Sequence, residues 1–192
     1  MQRKIILAST SPRRKEILAK TGLVFEVQAS DYQEDMTLKM SPEKLVEYLS
    51  RGKAENVALR NPNAIIIAAD TFVVFNNKKL GKPKNRDEAK KMLMMLSGKQ
   101  NNIISGVTVI DTKSGKIVSF HETTKVFMKK ISPEEIENYI ATGEPLDKAG
   151  AYALQELGSI FIKKIDGDFF NAMGLPLNKL VEKLRVFGIK VL

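Results

Sequence analysis

The sequence predicts an α/β fold with a mixed sheet, and three observations carry that reading. Short β-rich runs alternate with amphipathic stretches at helical spacing, the pattern of βα units. The run Ile65-Ile66-Ile67-Ala68-Ala69 is apolar enough for a strand covered on both faces. Two long strands, Ile103 to Ile110 and Lys116 to Met128, are joined at Lys113-Ser114-Gly115 as a hairpin, so the sheet is not purely parallel. With 192 residues and 43% hydrophobic content the chain can bury a full core. No internal repeat, low-complexity tract or linker interrupts it, and one domain spanning 1–192 is expected.

The first strand is read at Ile5-Ile6-Leu7-Ala8, followed by a loop and a helix that opens at Ser11-Pro12 and continues through Lys20. Ser11 suits the N-cap and Pro12 the first helical position. Arg13, Arg14 and Lys15 then put positive charge where the helix dipole is already positive. A bound polyanion would resolve that conflict; a basic turn lying in water is the simpler alternative. Phe25-Glu26-Val27 reads as a short strand before the acidic loop Asp31 to Asp35. Ser41-Pro42-Glu43 starts a second helix that runs to Leu59. Ala64 to Phe75 is β-rich and is expected to break at Asp70-Thr71, with Asn76 to Lys79 as a turn and Leu80-Gly81-Lys82-Pro83 as the return. A helix from Arg86 to Leu96 stops at Ser97-Gly98. After the hairpin, Ser132-Pro133-Glu134-Glu135 forms a capping box for a helix to Ala141, ended by Gly143. A loop to Gly150, a short helical or irregular stretch through Gln155, a strand from Ser159 to Ile165, a turn at Gly167-Asp168 and a helix from Pro176 to Phe187 complete the chain.

Composition removes several chemistries. There is no cysteine, so disulfides, thiolate metal sites and cysteine nucleophiles are excluded, and one histidine, His121, excludes multi-histidine metal sites. His121 lies in a polar stretch and is read as a surface residue. No apolar run approaches the ~18 residues of a membrane span, and Ser9 to Lys15 interrupts what a signal peptide would need. A cytoplasmic protein without membrane association is expected. The net charge of +9 favours an anionic partner, but the lysines are dispersed, which disfavours nucleic acid.

Four residues stand out chemically. Asp70 follows an apolar strand, where a carboxylate is costly unless paired, protonated or bound to metal; a cap at the strand end is the plain alternative. Lys53 falls on the apolar stripe of its helix with Leu45, Leu49 and Val57, although a lysine can snorkel from the stripe's edge. Lys82 sits between Gly81 and Pro83, a place where a surface lysine is the default. Glu34 is either one member of a solvated acidic cluster or half of a magnesium site. With the basic helix start for phosphates, carboxylates for a hard cation and lysines to offset charge, they are equipment for water attack on a phosphoanhydride. No Gly-x-x-x-x-Gly-Lys-Ser/Thr loop and no Gly-x-Ser-x-Gly elbow is present.

These residues lie in a pattern that closely resembles the Maf family of nucleotide pyrophosphatases from end to end. The matching segments are Leu7 to Arg14, Ala69-Asp70-Thr71, Gly81-Lys82-Pro83, Leu96-Ser97-Gly98, Glu144 to Tyr152 with Gln155, and Gly174-Leu175-Pro176. The resemblance implies an elongated mixed sheet flanked by helices, two lobes around a cleft, similar to inosine-triphosphate pyrophosphatases. It also implies hydrolysis of a nucleoside triphosphate to monophosphate and pyrophosphate with a divalent cation, Mg2+ first and Mn2+ as the alternative, and Asp70 as general base. Arg13, Thr71 and Gln155 resemble the branch that acts on dTTP and UTP. On this reading Ser9, Arg13 and Arg14 hold phosphates, Lys53 and Lys82 stabilise developing charge, and Glu34 and Asp70 hold metal and water. Gln155 and Thr71 read the pyrimidine edge. A homodimer is admitted. Rival readings are a pyrophosphatase for modified or purine triphosphates and a non-enzymatic regulator binding nucleic acid or a division partner. Three departures from the family pattern are Asn101, Ala153-Leu154 and Phe169-Phe170.

Overall fold

The computed structural model describes residues 3–35 and 37–192. In chain order the elements are β1 (Lys4–Leu7), α1 (Pro12–Ala19), β2 (Glu26–Val27), α2 (Pro42–Ala58), β3 (Ala64–Phe75), β4 (Lys78–Leu80), α3 (Arg86–Leu96), β5 (Gln100–Asp111), β6 (Lys116–Met128), α4 (Pro133–Ala141), β7 (Ile162–Asp166), α5 (Phe169–Ala172) and α6 (Leu177–Leu184). The sheet is mixed, as expected. Strand order is β2-β1-β3-β5-β6-β7, with β4 paired to β3. β1 runs parallel to β2 and to β3, whereas β3–β4 and β6–β7 are antiparallel.

The chain divides into two compact units. The first comprises Met1–Thr71, Ser105–Glu122 and Gly174–Leu192, the second Phe72–Ile104 and Thr123–Met173. In the first unit Ile6, Ala8, Ile66, Ala68 and Ile110 pack with Ala54 and Val57 of α2. The in-register pairs Ile5↔Ile65 and Leu7↔Ile67 explain why these strands read as continuous apolar runs rather than alternating ones. In the second unit Val73, Phe75, Ile103, Val126, Tyr152 and Phe161 pack with Leu93 and Leu96 of α3 and with Ile136, Tyr139 and Ile140 of α4.

Several boundaries differ from the sequence reading. β1, β5 and α6 have shifted ends, and the expected loop to Gly150 holds 3-10 segments at Glu144–Asp147 and Ala149–Ala151. β3 is one unbroken strand of twelve residues, so Asp70 lies within it rather than capping its end. The turn after β3 uses Asn76 and Asn77 alone, both at positive φ, and Lys78 already belongs to β4. The stretch Leu157–Phe161 is a 3-10 turn, so the strand expected from Ser159 begins at Ile162. Asp168 caps a short helix, α5, through its bond to Asn171 N, where only a turn was expected. The caps at Ser11, Ser41 and Asn85 and the capping box of Ser132 and Glu135 are formed.

The placement of α2 matters most for the site, and it is set by β5. A Cβ at Gly106 would overlap the Val46 carbonyl carbon, so only glycine lets the helix backbone come this close to the strand. Two buried hydroxyls, Ser50 Oγ and Thr108 Oγ1, meet at 2.9 Å across the same contact. Gly106→Ala is therefore expected to lower unfolding stability by about 1–3 kcal/mol, the scale of overpacking a close contact, read as a lower urea midpoint at unchanged m-value.

Candidate active site

In the first unit, Asp70 is the buried centre of an ion cluster that reaches the surface at Glu34. Asp70 is 6% exposed. Lys53 reaches it from α2 with Nζ 2.5 Å from Asp70 Oδ1, and the same ammonium lies 2.8 Å from Glu34 Oε1. The Lys53 side chain is only 14% exposed, so the lysine on the apolar stripe does not snorkel away; it is consumed by two carboxylates. Asp70 Oδ2 is buried without a hydrogen-bond partner. Burial pushes the Asp70 carboxyl above its usual range, and Glu34 adds to this, while Lys53 and Arg14 pull the other way without prevailing.

The acidic loop gives up one of its members to this cluster. Asp31 pairs with Arg60 at 3.1 Å and Asp35 accepts from Thr37 N at 2.9 Å, whereas Glu34 goes to Lys53. The reason is Gly52, which precedes Lys53 on α2: a Cβ there would overlap the Tyr32 ring, so the missing side chain makes room for the loop. A glycine inside a helix costs roughly 0.5–1 kcal/mol, and that local inconsistency was the available signal for this contact.

α1 contributes Arg14, which bends back onto neutral acceptors. Nε donates to Gly174 O at 3.0 Å, Nη1 to Ser9 Oγ at 3.4 Å and Nη2 to Thr71 Oγ1 at 3.1 Å. Burial lowers the Arg14 pKa from its ordinary value, against the pull of Asp70. Thr71 Oγ1 also meets Ser105 Oγ at 2.9 Å, so this hydroxyl is already engaged with the arginine and the neighbouring strand. Gly174 has φ +110, a conformation L side chains rarely adopt, and its carbonyl is the fixed end of the arrangement. Ser105 and Gly174 were not singled out as participants by their side-chain chemistry. Arg13 is partly buried in the same first turn, which holds no acidic residue.

The second unit carries Lys82 and Gln155. Lys82 Nζ lies 2.6 Å from Asp147 Oδ1, both side chains well exposed. Gln155 is exposed, on the segment that precedes the Leu157–Phe161 turn. The Gly81-Lys82-Pro83 turn is tied to the long motif by a bond from Gly150 N to Gly81 O at 3.0 Å. Gly150 and Ala151 are both left-handed, with φ +70 and +62. For Ala151 this backbone is strained, of order 1 kcal/mol, as found where a site dictates the chain path. Asn101, a departure from the family pattern, accepts from the Tyr152 hydroxyl at 2.8 Å and so has a structural partner. Glu144 and Lys148 lie in the Glu144 to Tyr152 segment, where neither residue type nor spacing marks them.

Asp70 and Glu34 offer oxygen donors suited to a hard cation, and Asp70 Oδ2 is an acceptor with no partner in the protein. Among the described residues no group of three or more His, Cys, Asp or Glu could hold a metal. Two carboxylates fit magnesium, which commonly takes one or two from protein and the rest from phosphate and water. His121, partly exposed, lies with Nδ1 2.6 Å from Glu47 Oε1 and belongs to neither group. No helix among the described residues is long and apolar enough to cross a membrane.

A family model described as Maf-like protein matches residues 4–187. A dTTP/UTP pyrophosphatase of Desulforamulus reducens is 49% identical, covering 98% of this chain and 99% of that protein. Proteins of the same name from Alkaliphilus metalliredigens and Methanosarcina barkeri are 52% and 50% identical, covering 94% and 98% of this chain and 94% and 96% of theirs. The structure of the Staphylococcus aureus Ham1 protein aligns at 16% identity with a TM-score of 0.47, over 66% of this chain and 72% of that one, a likeness too slight to argue from.

The raised Asp70 pKa has a defined sign for stability. A carboxyl that binds its proton more tightly folded than unfolded adds most stability below the ordinary aspartate range, and that contribution is lost as pH rises through the folded pKa. Asp70→Asn, which cannot ionise, should therefore gain thermal stability relative to the parent across that window and keep the gain at neutral pH. Melting curves with chelator present from pH 3 to 8 measure it; a parent that remains the more stable at neutral pH contradicts the assignment.

Proposed function

The chain belongs to the Maf-like protein family, and on that premise we propose that it hydrolyses dTTP and UTP to the monophosphate and pyrophosphate. The observation that carries the reading is Asp70: a carboxylate inside a buried strand, one oxygen held by Lys53 and the other without a partner. As a structural ion pair this arrangement is poor, because a buried charge with an unsatisfied oxygen costs more than an apolar residue in its place. As a general base it is well made. Oδ2 accepts the proton of an attacking water while Lys53 holds the carboxylate in one orientation. The bond from water oxygen to the α-phosphorus forms, the bond from that phosphorus to the bridging oxygen breaks, and pyrophosphate leaves.

Charge on the departing phosphates is met by Ser9, by Arg13 and Arg14 at the positive end of α1, and by Lys82. Arg14 suits this role because its own acceptors are neutral, so its charge is not cancelled by the bonds that orient it. Glu34 and Asp70 are the residues that would hold a divalent cation, Mg2+ or Mn2+, which when bound supplies positive charge to phosphate oxygens. Gln155 reads the base, since a carboxamide matches both the donor and the acceptor of a uracil-type edge. Thr71, engaged with Arg14, acts on that arginine's position. The name of the relatives supports the substrate class, and a housekeeping role in nucleotide pools follows from it.

The direct experiment incubates UTP with the protein and a divalent cation and resolves UMP, UDP, pyrophosphate and phosphate. UMP and pyrophosphate are expected, with loss of turnover under chelation and at least ~10²-fold slower turnover in Asp70→Asn. UDP and phosphate as first products would refute attack at the α-phosphorus. For Gln155→Glu, a carboxylate that only accepts would lose ~1–3 kcal/mol against a base carbonyl. The preference for dTTP and UTP over CTP and GTP should fall accordingly while metal dependence persists; a uniform loss over all bases would place Gln155 in the hydrolytic machinery instead.

A further inference from the structure

The segment bearing Gln155 is gripped from both sides by the stretch Glu144–Lys148. Glu144 accepts from the two backbone amides that follow: Oε2 from Leu157 N and Oε1 from Gly158 N, each at 3.0 Å. The Tyr139 hydroxyl donates to the same Oε1 at 2.7 Å, so the carboxylate is fixed from below. Gly158 is itself required there, because a Cβ would overlap the Tyr139 hydroxyl. On the other side Lys148 Nζ lies 3.0 Å from Glu156 Oε1, the residue next to Gln155, and 3.7 Å from Asp147 Oδ2. The Lys148 side chain is only 12% exposed, although the carboxylate it holds is 44% exposed.

A lysine drawn this far out of water to hold a surface glutamate is an unusual use of the residue, since lysine is among the side chains least often buried. It makes sense if the place of Glu156 matters. Gln155 donates and accepts no hydrogen bond of its own among the described residues, so its position depends on the backbone on either side. A carboxamide can discriminate between bases only if it is held before the ligand arrives; otherwise the cost of ordering it cancels part of what recognition gains.

We propose that Glu144 and Lys148 form a clamp that positions Gln155, with Lys148 as the positioning residue whose pairing with Glu156 sets base selectivity. The inference rests on Gln155 being the base-reading residue. Asp147 links the clamp to Lys82, being 2.6 Å from Lys82 Nζ and 3.7 Å from Lys148 Nζ. When Lys82 turns to a phosphate, Asp147 retains Lys148 as a partner, so the clamp holds through the reaction.

The test compares catalytic efficiency on dTTP, UTP, CTP and GTP for the parent, Lys148→Met, Glu156→Gln, the double variant and Lys148→Arg. Either single change should lower the UTP-to-CTP ratio about fivefold, with the loss carried by KM for UTP. The double variant should be no worse than the singles, because both remove one interaction, and Lys148→Arg should restore most of the ratio. If Lys148→Met fails to fold, Glu156→Gln, at an exposed position, carries the comparison. A ratio unchanged in Glu156→Gln, losses that multiply in the double variant, or an equal fall on all four substrates each overturns the clamp. A parent with no base preference instead refutes the reading of Gln155, and the two failures are told apart by the parent alone.

Discussion

The first unit is organised around one constraint, the burial of the Asp70 carboxylate within β3. Desolvation of that group is the largest influence on its ionisation, and together with the charge of Glu34 it outweighs Lys53 and Arg14. The features around it are the means of keeping the compensation in reach. Lys53 can approach only because α2 lies against Gly106, and Glu34 can share the ammonium only because Gly52 leaves room for Tyr32. The hydroxyl pair of Ser50 and Thr108 then satisfies polar groups that the close approach of α2 buries. None of this satisfies Oδ2, and the remaining acceptor is what distinguishes a site from a well-made ion pair.

Adjacent residues of a strand project to opposite faces, and β3 uses that property to serve two partners. Asp70 meets Lys53 of α2, while Thr71 meets Arg14 of α1. α1 is a poor helix by charge, having cations and no acid in its first turn. Its cap is sound, with Ser11 Oγ accepting from Arg14 N at 3.5 Å, so the cations are tolerated rather than needed for folding. The strain is electrostatic, and it would be relieved by the phosphates that the proposed substrate brings.

Much of this was legible in the sequence because caps and glycines punctuate it strongly. Ser11-Pro12, Ser41-Pro42 and the capping box at Ser132 placed α1, α2 and α4, and helix α3 has the expected ends. Asp70 and Lys53 declared themselves by sitting in apolar patterns, and the structure pairs them. Less legible was whatever depended on tertiary contact. Asp70-Thr71 looked like a break in β3 because a carboxylate argues against a buried strand, yet the strand is continuous and the carboxylate is met by the ammonium from α2. Ser159 to Phe161 has strand-like composition, yet Glu144 draws the amides of Leu157 and Gly158 into a turn. Glu34 could not be separated from Asp31 and Asp35 by sequence, since the difference lies in where Arg60 and Lys53 stand. Glu144 and Lys148 gave no local anomaly at all.

The two candidate lysines are held in opposite ways, and this bears on what each can do. Lys53 is nearly buried between two carboxylates, so withdrawing it would leave buried charge unpaired at a cost of several kcal/mol. It is suited to holding Asp70 in place throughout turnover. Lys82 pairs with Asp147 in the open, where such a bond is worth about 0–1 kcal/mol and a triply charged phosphate chain competes easily. Lys82 is thus available to an incoming polyanion in a way that Lys53 is not. The residues that surround Gln155, namely Glu144, Lys148 and Glu156, share no member with the set around Asp70, which is Lys53, Glu34 and Arg14. On the proposed roles, base preference would therefore be altered through the first set without changing a single partner of the proposed general base.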